Sequence, residues 1–109
     1  MIFSWDDWNT SHVARHAVTR REAEFVVRHA APPFPAESGD GKSVVWGQTR
    51  DGRYLQVIFV YRADDQVDYE SLTLEELMTL QDGGGPVVYV VHAMELTPKM
   101  KQQYRRRMS

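Results

Sequence analysis

An Asp-Gly pair between two predicted strands constrains the fold of this chain more than any other sequence feature. Residues 43–49 and 54–61 have the composition of β-strands, and the connecting residues 50–53 are Arg-Asp-Gly-Arg. Asp-Gly is favoured in tight hairpin turns because glycine tolerates the positive φ that such turns require. The pattern therefore predicts an antiparallel strand pair in the middle of the chain.

Apolar patterning and helix caps predict the other elements. Thr19 and Thr73 each precede a glutamate at the third position, which is the capping-box spacing, and Thr97 precedes Pro98 as an N-cap. The remaining predicted elements are strands at 2–5 and 87–93, and helices at 8–16, 20–29, 73–80 and from 97 onward. The order β-α-α-β-β-α-β-α predicts an α+β fold: a small antiparallel-rich sheet with N-terminal helices and a C-terminal helix.

Three groups of apolar residues are predicted to be buried. The helix at 20–29 is expected to bury Ala23, Phe25, Val26 and Val27. The last helix carries a stripe at i, i+4 and i+8 that is expected to pack on the sheet, namely Met100, Tyr104 and Met108. The tryptophans can stack on bases, but in a small domain they are usually core residues: Trp5, Trp8 and Trp46. Residues 36–42 are predicted to be a polar loop.

The length and the charge pattern predict one domain, residues 1–109, with an acidic helical insertion at about 64–82. Residues 63–98 carry eight acids and no Lys or Arg, whereas residues 99–109 carry five basic residues and no acid. A basic tail beside an acidic segment can bind a phosphate backbone or an acidic protein. Alternatively, the two faces of a soluble domain simply offset one another, since the net charge is only −2.

Cysteine usage and hydropathy exclude several classes of protein. The chain contains no cysteine, so disulfides and cysteine-based zinc sites are excluded. Its longest apolar run, residues 87–91, is far shorter than the roughly 18 residues that span a bilayer. The N-terminal residues lack the basic and apolar regions of a secretory signal. We therefore expect a cytoplasmic protein that does not enter the membrane.

The histidines are the first candidates for catalysis. His92 follows the apolar residues 87–91 at the end of the predicted strand. The unperturbed pKa of histidine, about 6.5, suits general acid or base work at neutral pH. The alternative for His92 is a hydrogen-bonded structural residue. His12 and His16 have the i, i+4 spacing of metal ligands, but no third ligand accompanies them, so we predict no metal site.

Arginines near the hairpin are the second candidates. Arg50 and Arg53 bracket its turn and Arg62 ends its second strand, so their guanidinium groups can hold a phosphodiester beside a histidine. Solvated surface arginines are the alternative interpretation. The glycines at 83–85 lack the Lys and Ser/Thr of a phosphate loop, and no G-x-S-x-G context for a serine hydrolase is present.

Three groups of motifs follow one another along the chain. They are Trp5-Asp6 with Asn9, RHAV at 15–18 and EAE at 22–24; then VWGQT at 45–49 with Asp51-Gly52-Arg53; and finally VYVVHAMELT at 88–97 with Tyr104-Arg105. In this order they resemble the BrnT-type toxin family, whose patterns include K-H-G-V, a G-x-T-x-x-G-R hairpin and a closing A-R-x-x-T-x-x-E-x-x-x-Y. The resemblance covers the chain outside residues 31–42 and 64–86.

This resemblance implies a RelE-like fold and the toxin half of a type II toxin–antitoxin pair. Such a toxin is a ribonuclease that needs no metal or cofactor, and its partners are RNA and a cognate antitoxin. Mapped onto this sequence, the acid and base are His16 and His92, and Arg53 stabilises the phosphorane. The resemblance also assigns RNA contacts to Arg50, Arg62, Tyr104 and Arg105.

The departures from the family pattern support a second interpretation. The family arginine near the end of the last strand is Met94 here, Ala17 replaces glycine, and the 64–82 segment is additional. The alternative is therefore a weak or inactive BrnT-like domain that binds a protein or nucleic acid through the basic residues 99–107. A third hypothesis is an acidic helix that docks a basic protein, without nucleic acid.

Overall fold

The computed structural model describes residues 1–62, 70, 72–81 and 86–108, and within them it confirms the predicted α+β fold. The strands are β1 (Ile2–Ser4), β2 (Ala36–Glu37), β3 (Ser43–Gln48), β4 (Tyr54–Arg62) and β5 (Val87–Glu95). The helices are α1 (Asp7–Ala14), α2 (Arg20–Arg28), α3 (Leu74–Gln81) and α4 (Pro98–Met108). None of these helices is long and apolar enough to cross a bilayer.

The described strands form one mixed sheet in the order β1-β5-β4-β3-β2. Only β1 and β5 run parallel, and the other three pairings are antiparallel. The predicted hairpin is β3–β4, which pairs Gln48 with Tyr54. Its turn requires the glycine, because Gly52 has a φ of 88° and its amide donates to the Thr49 carbonyl at 3.0 Å.

The prediction of a loop over residues 36–42 was wrong at its start. Ala36 pairs with Val44 and Glu37 with Ser43, so β2 is a short edge strand. The chain returns through a turn around Asp40, which has a φ of 53°. A two-residue ladder is too short to produce a periodic signal in the sequence. Within the predicted acidic insertion at 64–82, residues 64–69, 71 and 82 lie outside the described residues, and the described part includes α3, which follows the predicted capping box of Thr73 and Glu76.

The first helix begins where an aspartate cap was predicted but ends earlier than predicted. The Asp6 side chain accepts from the Asn9 amide at 3.0 Å, and the Asn9 Oδ1 accepts from the Asp6 amide at 2.8 Å. At the other end, Ala17 adopts a φ of 57° and the Val18 amide donates back to the Val13 carbonyl. This turn closes α1 at Ala14, so His16 lies outside the helix.

The main core lies between the sheet and helices α1 and α2. On α2 the predicted residues Ala23, Val26 and Val27 are buried, but Phe25 is half-exposed and that prediction was wrong. The prediction of a packed stripe on α4 was also wrong, because α4 has no buried residue and only Tyr104 packs against the core. Helix α4 thus leaves its other side chains largely in solvent.

The tryptophans also differ from the prediction. Trp5 is buried in the core and its Nε1 donates to Glu24 at 2.8 Å, whereas Trp46 is half-buried. Trp8, in contrast, lies in the first turn of α1 and is 54% exposed. The expectation of a core tryptophan therefore fails for Trp8.

Asn9 gives the first prediction, because it is fully buried and connects β1 to α1. Its Nδ2 donates to the Ser4 carbonyl at 3.0 Å, in addition to the capping contacts with Asp6. We expect Asn9→Ala to lower the free energy of unfolding by about 2–4 kcal/mol, since these backbone groups lose their partners. Urea unfolding followed by circular dichroism measures this change.

The control is Asp7→Ala, which alters the exposed neighbouring residue in the same helical turn. We expect Asp7→Ala to cost at most about 1 kcal/mol, from the lost interaction with the helix dipole. Equal losses in the two variants would contradict the role assigned to Asn9.

Candidate functional site

The side chains of three histidines from three parts of the chain lie close together beside β5. The ring of His92 lies 5.0 Å from that of His16 and 6.1 Å from that of His12, measured between centroids. His12 is on α1, His16 is in the turn after it, and His92 is on β5. The two histidines that were predicted as the acid and base are thus in contact, and His12 joins them.

An irregularity in β5 accompanies the position of His92. The pairing of β4 with β5 shifts between Ile58 and Phe59, so that His92 opposes Ile58 while Val90 opposes Phe59. Such a bulge inserts one extra residue and re-aims the neighbouring side chains. His92 was predicted to lie at the end of a strand over residues 87–93, but β5 continues to Glu95 and His92 lies further inside it.

A wall of aromatic and charged residues continues the cluster. The indole of Trp8 stacks on the imidazole of His12, with centroids 4.5 Å apart and planes 11° from parallel. Trp8 also lies 6.4 Å from the ring of Tyr89, and the guanidinium of Arg62 lies 3.7 Å above that ring. The histidine cluster (His12, His16 and His92) is therefore continued through the exposed indole of Trp8 to Tyr89 and the cation of Arg62.

Burial and neighbouring charge set the protonation of His92. Burial lowers the pKa of His92 below its ordinary value of 6.5, and the positive charge that His16 and His12 can carry lowers it further. His92 is therefore neutral at pH 7 and can accept a proton. A partly buried imidazole beside two others is a suitable arrangement for acid–base work.

Asp6 and Tyr89 are hydrogen-bonded to each other next to Trp8 and Arg62. The Tyr89 hydroxyl donates to both carboxylate oxygens of Asp6, at 2.9 and 3.0 Å. Burial raises the pKa of Tyr89 to about 12, together with its hydrogen bond to Asp6. Burial alone would raise the pKa of Asp6, but the hydrogen bonds from the Asn9 amide and Tyr89 outweigh it and lower the pKa. Tyr89 thus remains a neutral hydrogen-bond donor at physiological pH.

Arg53, which was predicted to bind phosphate, holds the turn that carries His16. Its Nη1 donates to the Ala17 carbonyl at 2.9 Å and to Glu22 Oε2 at 2.7 Å, and its Nε donates to Glu95 Oε1 at 3.0 Å. Two carboxylates therefore balance its charge. These contacts favour a positioning role for Arg53, acting on His16 through Ala17.

The other predicted RNA contacts lie on two separate surfaces. Arg50 packs its guanidinium 5.3 Å from the ring centroid of Phe25 on α2. Tyr104 lies 5.9 Å from Tyr54, and the guanidinium of Arg105 lies 5.3 Å from the Tyr54 ring. Of the predicted site residues, the structure brings His16 and His92 into contact. Arg62 is connected to them only indirectly, through its contact with Tyr89.

His12, which belongs to the cluster, and Trp8, which stacks on it, were not predicted as site residues. Their i, i+4 spacing places both on one side of α1, and this signal is visible in the sequence. What the sequence lacks is the partner, since only the tertiary fold places β5 against that side. Within the described part of the chain, no group of three or more His, Cys, Asp or Glu residues has the geometry of a metal site.

Comparisons with known proteins give no relative: no family model, curated protein or solved structure matched the chain. The site offers imidazoles in mutual contact, one of them neutral at pH 7, with a guanidinium and an exposed indole nearby. Such a set can move protons at a bound anionic substrate.

The pKa of His92 gives the second prediction. In an NMR titration of the imidazole signals, we expect His92 to titrate below 6.5, and His16→Gln to raise its pKa by removing a neighbouring cation. Folding disfavours the charged form of His92, so protonation below about pH 6.5 favours the unfolded chain. The free energy of unfolding therefore decreases as the pH is lowered through that range.

The matched control is His29→Gln, because His29 stacks on Phe25 and is not in the histidine cluster. This substitution should leave the pKa of His92 unchanged. A His92 that titrates at or above 6.5 in the unsubstituted protein would contradict the electrostatic description of the site.

Proposed function

We propose that this protein is a metal-independent endoribonuclease that cleaves RNA by attack of a ribose 2′-hydroxyl on the adjacent phosphate. The observation that carries the proposal is the contact between His16 and His92, whose ring centroids are 5.0 Å apart. One phosphodiester can be reached by both imidazoles at once, as a shared acid–base site requires.

In this mechanism His92 is the base and His16 is the acid. Neutral His92 takes the proton of the 2′-hydroxyl, and the 2′-oxygen forms a bond to phosphorus. The bond from phosphorus to the 5′-oxygen then breaks, and protonated His16 gives its proton to that oxygen. The products are a 2′,3′-cyclic phosphate and a free 5′-hydroxyl. The low pKa of His92 supports its assignment as the base.

Two neighbouring groups are proposed to hold the substrate. Arg62, whose guanidinium lies over Tyr89, supplies positive charge at one side of the histidine cluster for the phosphorane. Trp8 presents an exposed indole next to His12, where a nucleobase can stack. In the proposal, Arg53 acts by positioning His16, and Tyr104 and Arg105 contact RNA away from the cleaved bond.

The biological role proposed with this activity is that of a BrnT-like toxin with a RelE-like fold, acting in the cytoplasm and neutralised by a cognate antitoxin. This part of the proposal rests on the ordered motifs and on the retention of His16 and His92 among them. It does not depend on the family arginine, whose position is occupied by Met94.

A second candidate function is a BrnT-like binding module without catalysis. The charge of Arg53 is taken up by Glu22 and Glu95, which removes one of the predicted phosphate ligands. Meanwhile α4 has no buried residue and carries Lys99, Lys101, Arg105, Arg106 and Arg107 without an acid. A largely solvent-facing basic helix of this kind suits an RNA backbone or an acidic protein.

Cleavage of RNA by the purified protein in EDTA is the third prediction. We expect His92→Ala to slow cleavage at least about 100-fold, which is the usual contribution of a general base. Arg28→Ala removes an exposed side chain outside the histidine cluster and should leave the rate within about twofold, because surface substitutions rarely disturb a distant site. Gel analysis of a defined RNA gives both rates and the cyclic phosphate end.

Equal cleavage by His92→Ala and by the unsubstituted protein would overturn the assigned site. If the folded protein cleaves no RNA but binds it with an affinity that falls steeply between about 50 and 200 mM salt, the binding module replaces the ribonuclease.

Growth of cells that express the chain gives the fourth prediction. We expect induction of the unsubstituted protein to arrest growth and to reduce total RNA integrity, and His92→Ala to permit growth at the same expression level. Colony counts after induction measure the difference. Arrest by both forms would show that any toxicity does not arise from the histidine cluster.

A further inference from the structure

A concave surface lies beside the N-terminal half of α2, and none of the three clustered histidines lines it. It is a cleft of about 510 Å³ between α2 and the β3–β4 turn. Its walls are formed by Arg21, Glu22, Phe25, Thr49, Arg50 and Asp51. The volume falls in the range of small-molecule sites, about 300–1,000 Å³.

An aromatic ring that contacts two other planar groups forms one side of this cleft. Phe25 stacks on the imidazole of His29 at 4.0 Å, and the guanidinium of Arg50 lies 5.3 Å from the centroid of the same ring. Phe25 is half-exposed although its position was predicted to be core. The chain thus keeps a large apolar ring in the cleft, where a planar cation can stack with it.

The charge of the cleft is suited to one phosphate. Arg21 and Arg50 supply two exposed cations from different elements. The carboxylate of Glu22 pairs with the guanidinium of Arg53 at 2.7 Å. The other acid that lines the cleft, Asp51, forms no such pair among the described residues. Burial alone would raise the pKa of Glu22, but hydrogen bonds from the Thr19 amide and Arg53 lower it, so Glu22 stays ionised.

We infer that this cleft is a nucleotide subsite, in which a base stacks on the Arg50–Phe25 pair and its phosphate lies between Arg21 and Arg50. Guanidinium planes and aromatic rings are the usual stacking partners of unpaired RNA bases. An acidic protein would use the two arginines, but it would have no use for the stacked ring.

The subsite is connected to the histidine cluster through a single side chain. Arg53 donates to Glu22 on the wall of the cleft and to the Ala17 carbonyl, one residue after His16. The inference rests on the proposed ribonuclease function, and it assigns the cleft to a nucleotide that flanks the cleaved bond. Loss of the subsite is expected to weaken substrate binding and to raise KM, with kcat unchanged.

Nucleotide binding tests the inference without cleavage. We expect 5′-AMP, added to ¹⁵N-labelled protein, to shift the amide signals of Phe25, Thr49 and Arg50. Arg50→Gln should weaken this binding at least about fivefold, because a charge-assisted contact and a stacking partner are lost. The matched control is Arg28→Gln, which removes the same charge from the opposite end of α2 and should leave the binding unchanged.

The other outcomes separate this inference from the proposed function. Shifts confined to Trp8 and His92, or no shifts at all, overturn the subsite even if the protein cleaves RNA. Inorganic phosphate or a polyglutamate peptide that binds the cleft as tightly as 5′-AMP also overturns it, since neither carries a base. Binding of 5′-AMP in the cleft by a protein that fails to cleave RNA supports a nucleotide site and overturns only the ribonuclease.

Discussion

The guanidinium of Arg53 holds together the parts of the chain on which the site depends. It connects the turn after α1, the first turn of α2 and the end of β5, through Ala17, Glu22 and Glu95. The hydrogen bond to Glu22 raises the pKa of Arg53, with a further contribution from Glu95, and the pair stays ionised across the physiological range. A change at this one side chain therefore reaches both His16 and the cleft beside α2.

Two local irregularities of the backbone accompany the histidine cluster. One is the left-handed residue Ala17, which ends α1 and places His16 beyond the helix. The other is the shift in pairing at Ile58, which accompanies His92 in the middle of β5. Side-chain patterns in the sequence encode neither of these backbone features.

The sequence predicted most elements because their signals are local. Asp51-Gly52 marked the hairpin, and the Thr19 capping box was formed as predicted, with Glu22 accepting from the Thr19 amide at 3.0 Å. The misplaced residues are those whose burial is decided by tertiary contacts. Phe25 has the spacing of a core residue, yet it lies on the flank of α2 where the hairpin turn reaches it with Arg50. The meeting of His16 and His92 likewise depends on α1 packing on β5, which no local pattern specifies.

Arg50 and Arg53 illustrate how equivalent residues acquire opposite roles within one turn. Both were predicted to bind phosphate, and they are only three positions apart. Arg53 pairs with the carboxylates of Glu22 and Glu95, which neutralise its charge. An incoming phosphate would have to displace them. Arg50 lies on an aromatic ring instead, and a ring orients a guanidinium without cancelling its charge. The positive charge of Arg50 thus remains available to a ligand, whereas that of Arg53 is neutralised in contacts that fix the turn after α1.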